Sequence, residues 1–442
     1  MSIQISDHFT YGRLFRFTIP TIIMMIFTSI YGVIDGLFVT NVVGSEAFAS
    51  VNLIMPFIMI LGAFGFMMGA GGSALVSKTL GTGKKEKANE YFSMIILFII
   101  IVGILLSVFG ALLMEPISIL FGAEGTLLDG CVLYGRMSMI SLTAFMLQNA
   151  FQSFLVVVGR PRMGLLLSIV AGVTNIIGDF LLVYVFDLGI LGAVLATISS
   201  EILGGIIPLV FFIRNRSTDL RFSLTKIRMR IIGKTCFNGS SEMLSNISMS
   251  LVNMLYNMQL MRLVGPDGVV TYGIIMYISF IFVSTFIGYS IGTAPIIGYH
   301  FGAENKDELK NILKKSLKIV GVAGAIMFIS CELLSGVLSG IFVGYSATLM
   351  DMTKNAMHIF AISFLFNGLS IFASNFFTAL NNGLISAAIS FLRTMVFQVI
   401  MIFLLPIFFG LNGIWFSIVA AEILSVIVSF AMLGLFRKRY GY

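Results

Sequence analysis

Twelve apolar runs, each long enough to cross a bilayer and each closed by charge or a turn residue, limit this chain to very few architectures. They lie near Leu14–Asn41, Phe48–Ser77, Tyr91–Met114, Cys131–Val158, Met163–Phe186, Leu188–Ile213, Thr235–Met261, Val269–Tyr299, Ile319–Val343, Asn355–Leu380, Leu384–Phe408 and Leu411–Phe436. A spanning helix needs about 20 mostly apolar residues, so the pattern predicts an all-α integral membrane protein with twelve transmembrane helices. The balance of 58% hydrophobic to 11% charged residues is far from the roughly 45–50% and 25% of globular chains. A soluble enzyme, a nucleic-acid binder and a disordered tail fit that balance poorly. No small-residue cleavage site separates the polar start, Met1 to Arg16, from the first run, which is expected to be retained as a helix.

Charge placement gives the expected topology. Of 27 Lys and Arg, 23 fall in alternate connections: the N-terminus, 78–87, 160–162, 214–234, 306–318 and the C-terminus. The other connections carry mainly acids, among them Glu46, Glu115, Glu124, Asp129, Asp187, Asp267 and Asp351. Inner loops are the basic ones, which predicts that both termini are cytoplasmic. The cysteines, Cys131, Cys236 and Cys331, form no CxxC pair and read as packing residues.

A repeat appears at half the chain length, 221 residues: Gly71 with Gly292, Gly81 with Gly302, Lys85 with Lys306, Gly189 with Gly410, Gly192 with Gly413 and Glu201 with Glu422. Six matches in register point to a duplicated six-helix unit. Because six is even, both copies enter from one side and are related by an axis along the membrane normal, a known transporter architecture with its site between the halves. The expected lobes are 1–221 and 222–442, joined by a basic linker around 214–234.

Carboxylates inside apolar runs are functional candidates, because each is costly in hydrocarbon: Asp35, Asp179, Glu201, Glu242, Glu332 and Glu422. Asp35, Asp179 and Thr197 fall at similar depth, roughly 9–12 Å from the outer surface at about 1.5 Å per residue. Asn175 precedes Asp179 by one turn and shares its helix face. These four form a candidate oxygen cluster suited to Na⁺ or, as two close desolvated carboxylates, to a shared proton. The residues suit interhelical hydrogen bonding worth about 1 kcal/mol equally well, and spacing does not separate the readings. Adding 221 leads to Tyr256, Val396, Ile400 and Ile418, so the second half carries no copy. Glu201 and Glu422, in contrast, are equivalent and read as a shared structural feature. Glu242 lies in a polar stretch, Asn238–Asn246, that should line a water-filled cavity and attract a cationic substrate, although a locally bonded Glu near a helix end fits the same position. Arg393, inside a helix, is available to pair with any of these acids. The 27 Met and 42 Phe read as lipid-facing and packing residues. His8, His300 and His358 have no carboxylate at ligand spacing and no nucleophile motif is present, so neither a metal centre nor an enzyme is expected.

The twelve helices, the repeat and these residues together resemble the multidrug and toxic compound extrusion (MATE) family over the whole chain. The resemblance is carried by Pro20 fifteen residues before Asp35 in Ile30-Tyr31-Gly32-Val33-Ile34-Asp35, by the NxxxD motif Asn175-Ile176-Ile177-Gly178-Asp179, and by Gly189-Ile190-Leu191-Gly192-Ala193 leading to Thr197. It implies two pseudo-symmetric six-helix lobes around a central cavity in a bacterial-type inner membrane. It further implies monomeric export of amphipathic, mostly cationic drugs in exchange for inward Na⁺ or H⁺ by alternating access, without a cofactor. Asp35, Asn175, Asp179 and Thr197 would form the N-lobe cation site, and Pro20 would help helix 1 bend. Some members add a C-lobe site from a helix-7 Glu and a helix-10 Asp. Glu242 matches the first, but helix 10 offers only polar groups such as Asn367, so both are expected to serve substrate. A lipid-linked oligosaccharide flippase is the nearest rival, but it would need a strongly cationic cavity; a membrane-bound enzyme is the more distant one.

Overall fold

The computed structural model describes residues 3–38, 42–43, 45–214, 220–343 and 346–442. The end of the first apolar run at 39–41 and residues 215–219 of the expected linker lie outside the described residues. The helices are α1 (Tyr11–Phe38), α2 (Ser45–Gly81), α3 (Lys85–Leu120), α4 (Gly125–Val157), α5 (Pro161–Gly178), α6 (Gly189–Arg214), α7 (Met229–Leu263), α8 (Pro266–Gly302), α9 (Lys306–Val343), α10 (Ala347–Ala361), α11 (Phe364–Ala379), α12 (Gly383–Phe391) and α13 (Phe397–Tyr440). Asp179–Val185 continues α5 as a π-helical segment, and Leu392–Val396 joins α12 to α13 in the same way.

These elements make twelve spans. α10 and α11 form one span bent by 48°. The continuous stretch Gly383–Tyr440 has 58 residues, roughly 87 Å of helix against about 30 Å of hydrocarbon, so it crosses twice. The break falls at Gly410, whose φ of 55° and ψ of −132° suit a residue without Cβ. α7 carries Asn238, Ser240, Ser241 and Glu242 and is the polar one among the spans. Most helices overrun their apolar runs: α3 starts at Lys85, where Tyr91 was expected. Charged residues such as those of Lys85–Glu90 form helix readily, and hydropathy marks the bilayer edge, not the helix end. α1 stays helical through Pro20.

α1–α6 pack as one bundle and α7–α13 as another, and α1 and α2 meet α7 and α8 between them. This seam obeys the repeat. A Cβ on Gly81 would collide with the carbonyl of Tyr299, and one on Gly302 with the carbonyl of Lys78; Lys78 and Tyr299 are themselves 221 apart. Gly71 lies on Thr235 and Gly239, while its repeat partner Gly292 lies on Thr18 and Thr21, and Thr18 is the counterpart of Gly239. Each contact thus has a mirror contact about one axis, as an isologous interface does. Backbones approach this closely in membranes only where side chains are absent.

Hydrogen bonds between the bundles whose two partners are described cluster in the same half of the molecule, the end bearing the basic connections. Glu308 of α9 pairs with His8 at 2.6 Å and accepts from the N–H of Phe9 at 2.9 Å. Asn311 and Lys315 donate to the Phe9 carbonyl, and Asn381 to the Ala74 carbonyl. Lys78 sits 4.6 Å from the Phe301 ring centroid. The described part of the connector, 220–228, is bound to α3: the N–H groups of Arg221 and Ser223 donate to Asn89 and Ser93, and Arg228 pairs with Glu90 at 2.9 Å. A side chain forced into the glycine seam should cost about 1–3 kcal/mol. Gly302→Val is therefore expected to lower the thermal unfolding midpoint in detergent, whereas Gly233→Ala, with nothing within 4 Å of the new methyl, should leave it unchanged or raise it.

Candidate functional site

α1 and α5 lie side by side because Gly172 leaves room for α1 aromatics: a Cβ there would stand 2.6 Å from the Phe27 ring and 3.0 Å from that of Tyr31. One turn further along α1, Asp35 comes against Asn175 and Asp179. α6 closes the other side, with Gly178 against Ala196, the residue before Thr197. The α5 helix loosens into its π-helical segment at Asp179 itself, a distortion that concentrates at functional sites.

Asp179 is 0% and Asn175 2% exposed. Asp35 touches both side chains. Yet Oδ1 of Asp35, Oδ1 of Asn175 and both carboxylate oxygens of Asp179 have no hydrogen-bond donor. Four acceptor oxygens on three neighbouring side chains are thus left without a donor, and the Asn175 amide is the one protein N–H directed at Asp35 among them. Two like charges about 4 Å apart repel by about 4 kcal/mol at an effective dielectric constant near 20. Such a pair needs a small cation or a proton. Among the described residues no group of three or more His, Cys, Asp or Glu could hold a metal ion; two carboxylates and an amide suit a monovalent cation.

Thr197 is placed differently from the other three. Its hydroxyl donates to the Ala193 carbonyl at 3.1 Å and faces the buried Tyr134 of α4, so its bonds go to these groups and not to either aspartate. Sequence reasoning overlooked Tyr134, gave Tyr31 no role beyond its motif and read Glu201 as structural; all three surround the cluster. Glu201 meets the Ser141 hydroxyl and lies within electrostatic reach of Asp35 and both tyrosines. The signal was present: Tyr31 is one turn before Asp35 and Glu201 one turn after Thr197.

The second lobe carries a different arrangement. Arg393 binds both Glu422 oxygens through Nε at 3.0 Å and donates from Nη2 to Asn367 Oδ1 at 2.7 Å. Glu242 lies within the field of the same guanidinium. One cation thus stands among two carboxylates. Glu422 and Glu201 each pair with a side chain of a neighbouring helix, the pairing expected of them, but with unlike partners, because the counterpart of Arg393 is Gly172. Arg393 is neutralised by Glu422, which leaves no unpaired cation at this place in the second lobe for a pyrophosphate. Asn367, expected to serve substrate, is engaged by Arg393.

Two of the three histidines, His8 and His358, do meet carboxylates far away in sequence, although none stands at ligand spacing; the buried ring nitrogens of His300 have no hydrogen-bond partner among the described residues. His8 meets Glu308, and His358 meets Glu332 at 2.6 Å with Ser335 3.3 Å from its other ring nitrogen. The Ser335 hydroxyl is buried and donates to the Glu332 carbonyl, an arrangement of packing.

The MatE family model matches residues 20–181 and 243–404, two segments 223 positions apart. The multidrug export protein MepA of Staphylococcus saprophyticus is 25% identical over 426 residues, covering 96% of this chain and 93% of that protein. Among solved structures, a MATE protein in complex with MaL6 superposes with a TM-score of 0.93 at 20% identity over 98% of both chains. An outward-facing multidrug resistance MATE family transporter of the MOP superfamily superposes with a TM-score of 0.93 at 21% identity, over 98% of this chain and 97% of that one. With the family model covering most of its length in two repeated segments and its helices folded as two six-span lobes, the chain belongs to the MATE family of membrane transporters, not to any class of enzyme.

Proposed function

We propose that this protein is an antiporter that exports amphipathic, mostly cationic drugs while Na⁺ or H⁺ enters at Asp35, Asn175 and Asp179, with Thr197 and Tyr134 forming the wall. The observation that carries this reading is the set of four buried oxygens without a donor. Residues 1–221 and 222–442 are the two units that rock, and the basic end, with both termini, is cytoplasmic. Closure of the glycine seam at that end corresponds to an outward-facing state, in which the aspartates take their ion from outside. Each entering charge contributes about 2.3 kcal/mol per 100 mV, enough for about a fiftyfold gradient. In the second lobe, one guanidinium for two carboxylates leaves a net negative charge, and Glu242 supplies it to the cationic drug. Arg393 acts there as a built-in counter-ion, so that lobe needs no exchangeable cation.

Purified protein in liposomes, driven by an imposed Na⁺ or pH gradient, tests this. Asp179→Asn and Asp35→Asn are each expected to reduce gradient-driven dye export to near background; full export by both would refute the site, and the gradient that drives wild type names the ion. Glu242→Gln should bind a cationic dye about fivefold more weakly, the loss of about 1 kcal/mol, with coupling retained; a loss of coupling at unchanged dye affinity would reassign Glu242. Arg393→Gln strands Glu422 in the core and should lower stability by about 3–5 kcal/mol, largely recovered by adding Glu422→Gln, as chemical denaturation in detergent would show.

A further inference from the structure

At the basic end, between the first turns of α1 and α5, lies a cavity of about 370 Å³ whose wall includes Arg16, Phe17, Pro20, Arg160, Arg162 and Met163. Three arginines line it, and no carboxylate does. Some of the other basic side chains at this end are engaged: Arg228 with Glu90, Lys315 with the Phe9 carbonyl, Lys78 over Phe301. Arg160 is stacked 5.3 Å from the Phe211 ring centroid, which fixes its guanidinium plane, and Arg16 and Arg162 have no hydrogen bond or ion pair among the described residues. The N-terminus of α5, with Pro161 in its first turn and no side-chain cap, opens on the same space and adds the positive end of an 18-residue helix dipole.

The positions of Arg16 and Arg162 along their helices show which way a ligand would lie. Arg16 heads a stripe on α1 that continues through Ile19 and Ile23, 44% and 45% exposed, at the i, i+3, i+7 spacing of one helix face. Arg162 heads the α5 stripe through Leu166 and Val170, 61% and 39% exposed. Both stripes face outward from the bundle, where acyl chains run. Each helix thus presents a cation at the headgroup level above an apolar strip roughly 10–12 Å long, most of one leaflet's depth. Topology alone calls for basic residues on this side; it does not call for three of them around one cavity without an acid.

We infer that this cavity binds the phosphate headgroup of an anionic glycerophospholipid, with the guanidiniums on the phosphate oxygens and the acyl chains along the α1 and α5 stripes. Basic pockets between helices on the cytoplasmic side are suited to such headgroups, and the planar fork of arginine matches phosphate. A bound headgroup would brace the first turns of α1, the helix that carries Asp35. A free phosphate shares the recognition chemistry but has nothing to lay against the stripes.

The test uses the full chain, delipidated in neutral detergent, with the thermal unfolding midpoint followed as dioleoylphosphatidylglycerol, dioleoylphosphatidylcholine or inorganic phosphate is added. Phosphatidylglycerol is expected to raise the midpoint saturably, and the other two are not. The triple variant Arg16→Gln, Arg160→Gln, Arg162→Gln should lose the shift. Lys310→Gln, Lys314→Gln, Lys318→Gln, which removes the same charge elsewhere at this end, should keep it. Should the triple variant not be recovered folded, Arg16→Gln and Arg162→Gln singly are each expected to weaken the apparent lipid affinity about fivefold. The inference is overturned if the arginine variants keep the wild-type response, if the lysine variant loses it equally, or if inorganic phosphate stabilises as well as the lipid does.

Discussion

In hydrocarbon a polar atom has only the protein to bond with, and most buried groups in this molecule obey that rule. Serines and threonines along the helices return their hydroxyls to the carbonyl one turn back, as Thr18, Ser77 and Ser118 do. Arg393 finds Glu422 and Asn367. The first lobe breaks the rule where α1 meets α5, with acceptor facing acceptor. Isolated charges of this kind are expensive in the membrane, and a chain able to close Arg393 onto Glu422 in one lobe leaves the aspartates without such a partner in the other.

The duplication makes the contrast sharper. Glu201 and Glu422 descend from one position, but only the second lobe has grown an arginine beside it; the first has glycine at the matching place, and that glycine admits Tyr31 instead. Symmetry is kept where the lobes touch and abandoned in their polar interiors. The paired approaches of Gly81 to Tyr299 and Gly302 to Lys78 require two small residues in register, so the seam constrains both halves alike. Each lobe's interior faces no such demand from its partner.

Much of the architecture was legible because the bilayer imposes a length and an alternation of charge, and both leave long marks in a sequence. Twelve runs and a 221-residue period fixed the spans to within a few residues at most ends. The bend between α10 and α11 left little trace, since Ile362 and Ser363 interrupt the helix without proline or glycine. At the site, Asp35, Asn175 and Asp179 stood out because acids within apolar runs are rare. Tyr134 did not, because a tyrosine in a membrane helix has many ordinary uses, and its place beside Thr197 depends on how α4 crosses α6. Pairings such as His8 with Glu308, 300 positions apart, are invisible to spacing of any kind.

The connector between the lobes is held by α3 at Asn89, Glu90 and Ser93, and so belongs mechanically to the bundle it leaves. A tether of this sort does not act as a slack cord. If the halves swivel, the described segment 220–228 is carried round with the first, and the pivot is displaced to the threshold of α7 at Met229, about three turns from the glycine crossing at Gly239. Fulcrum and joint then nearly coincide, and a small angle at one extremity becomes a wide aperture at the other.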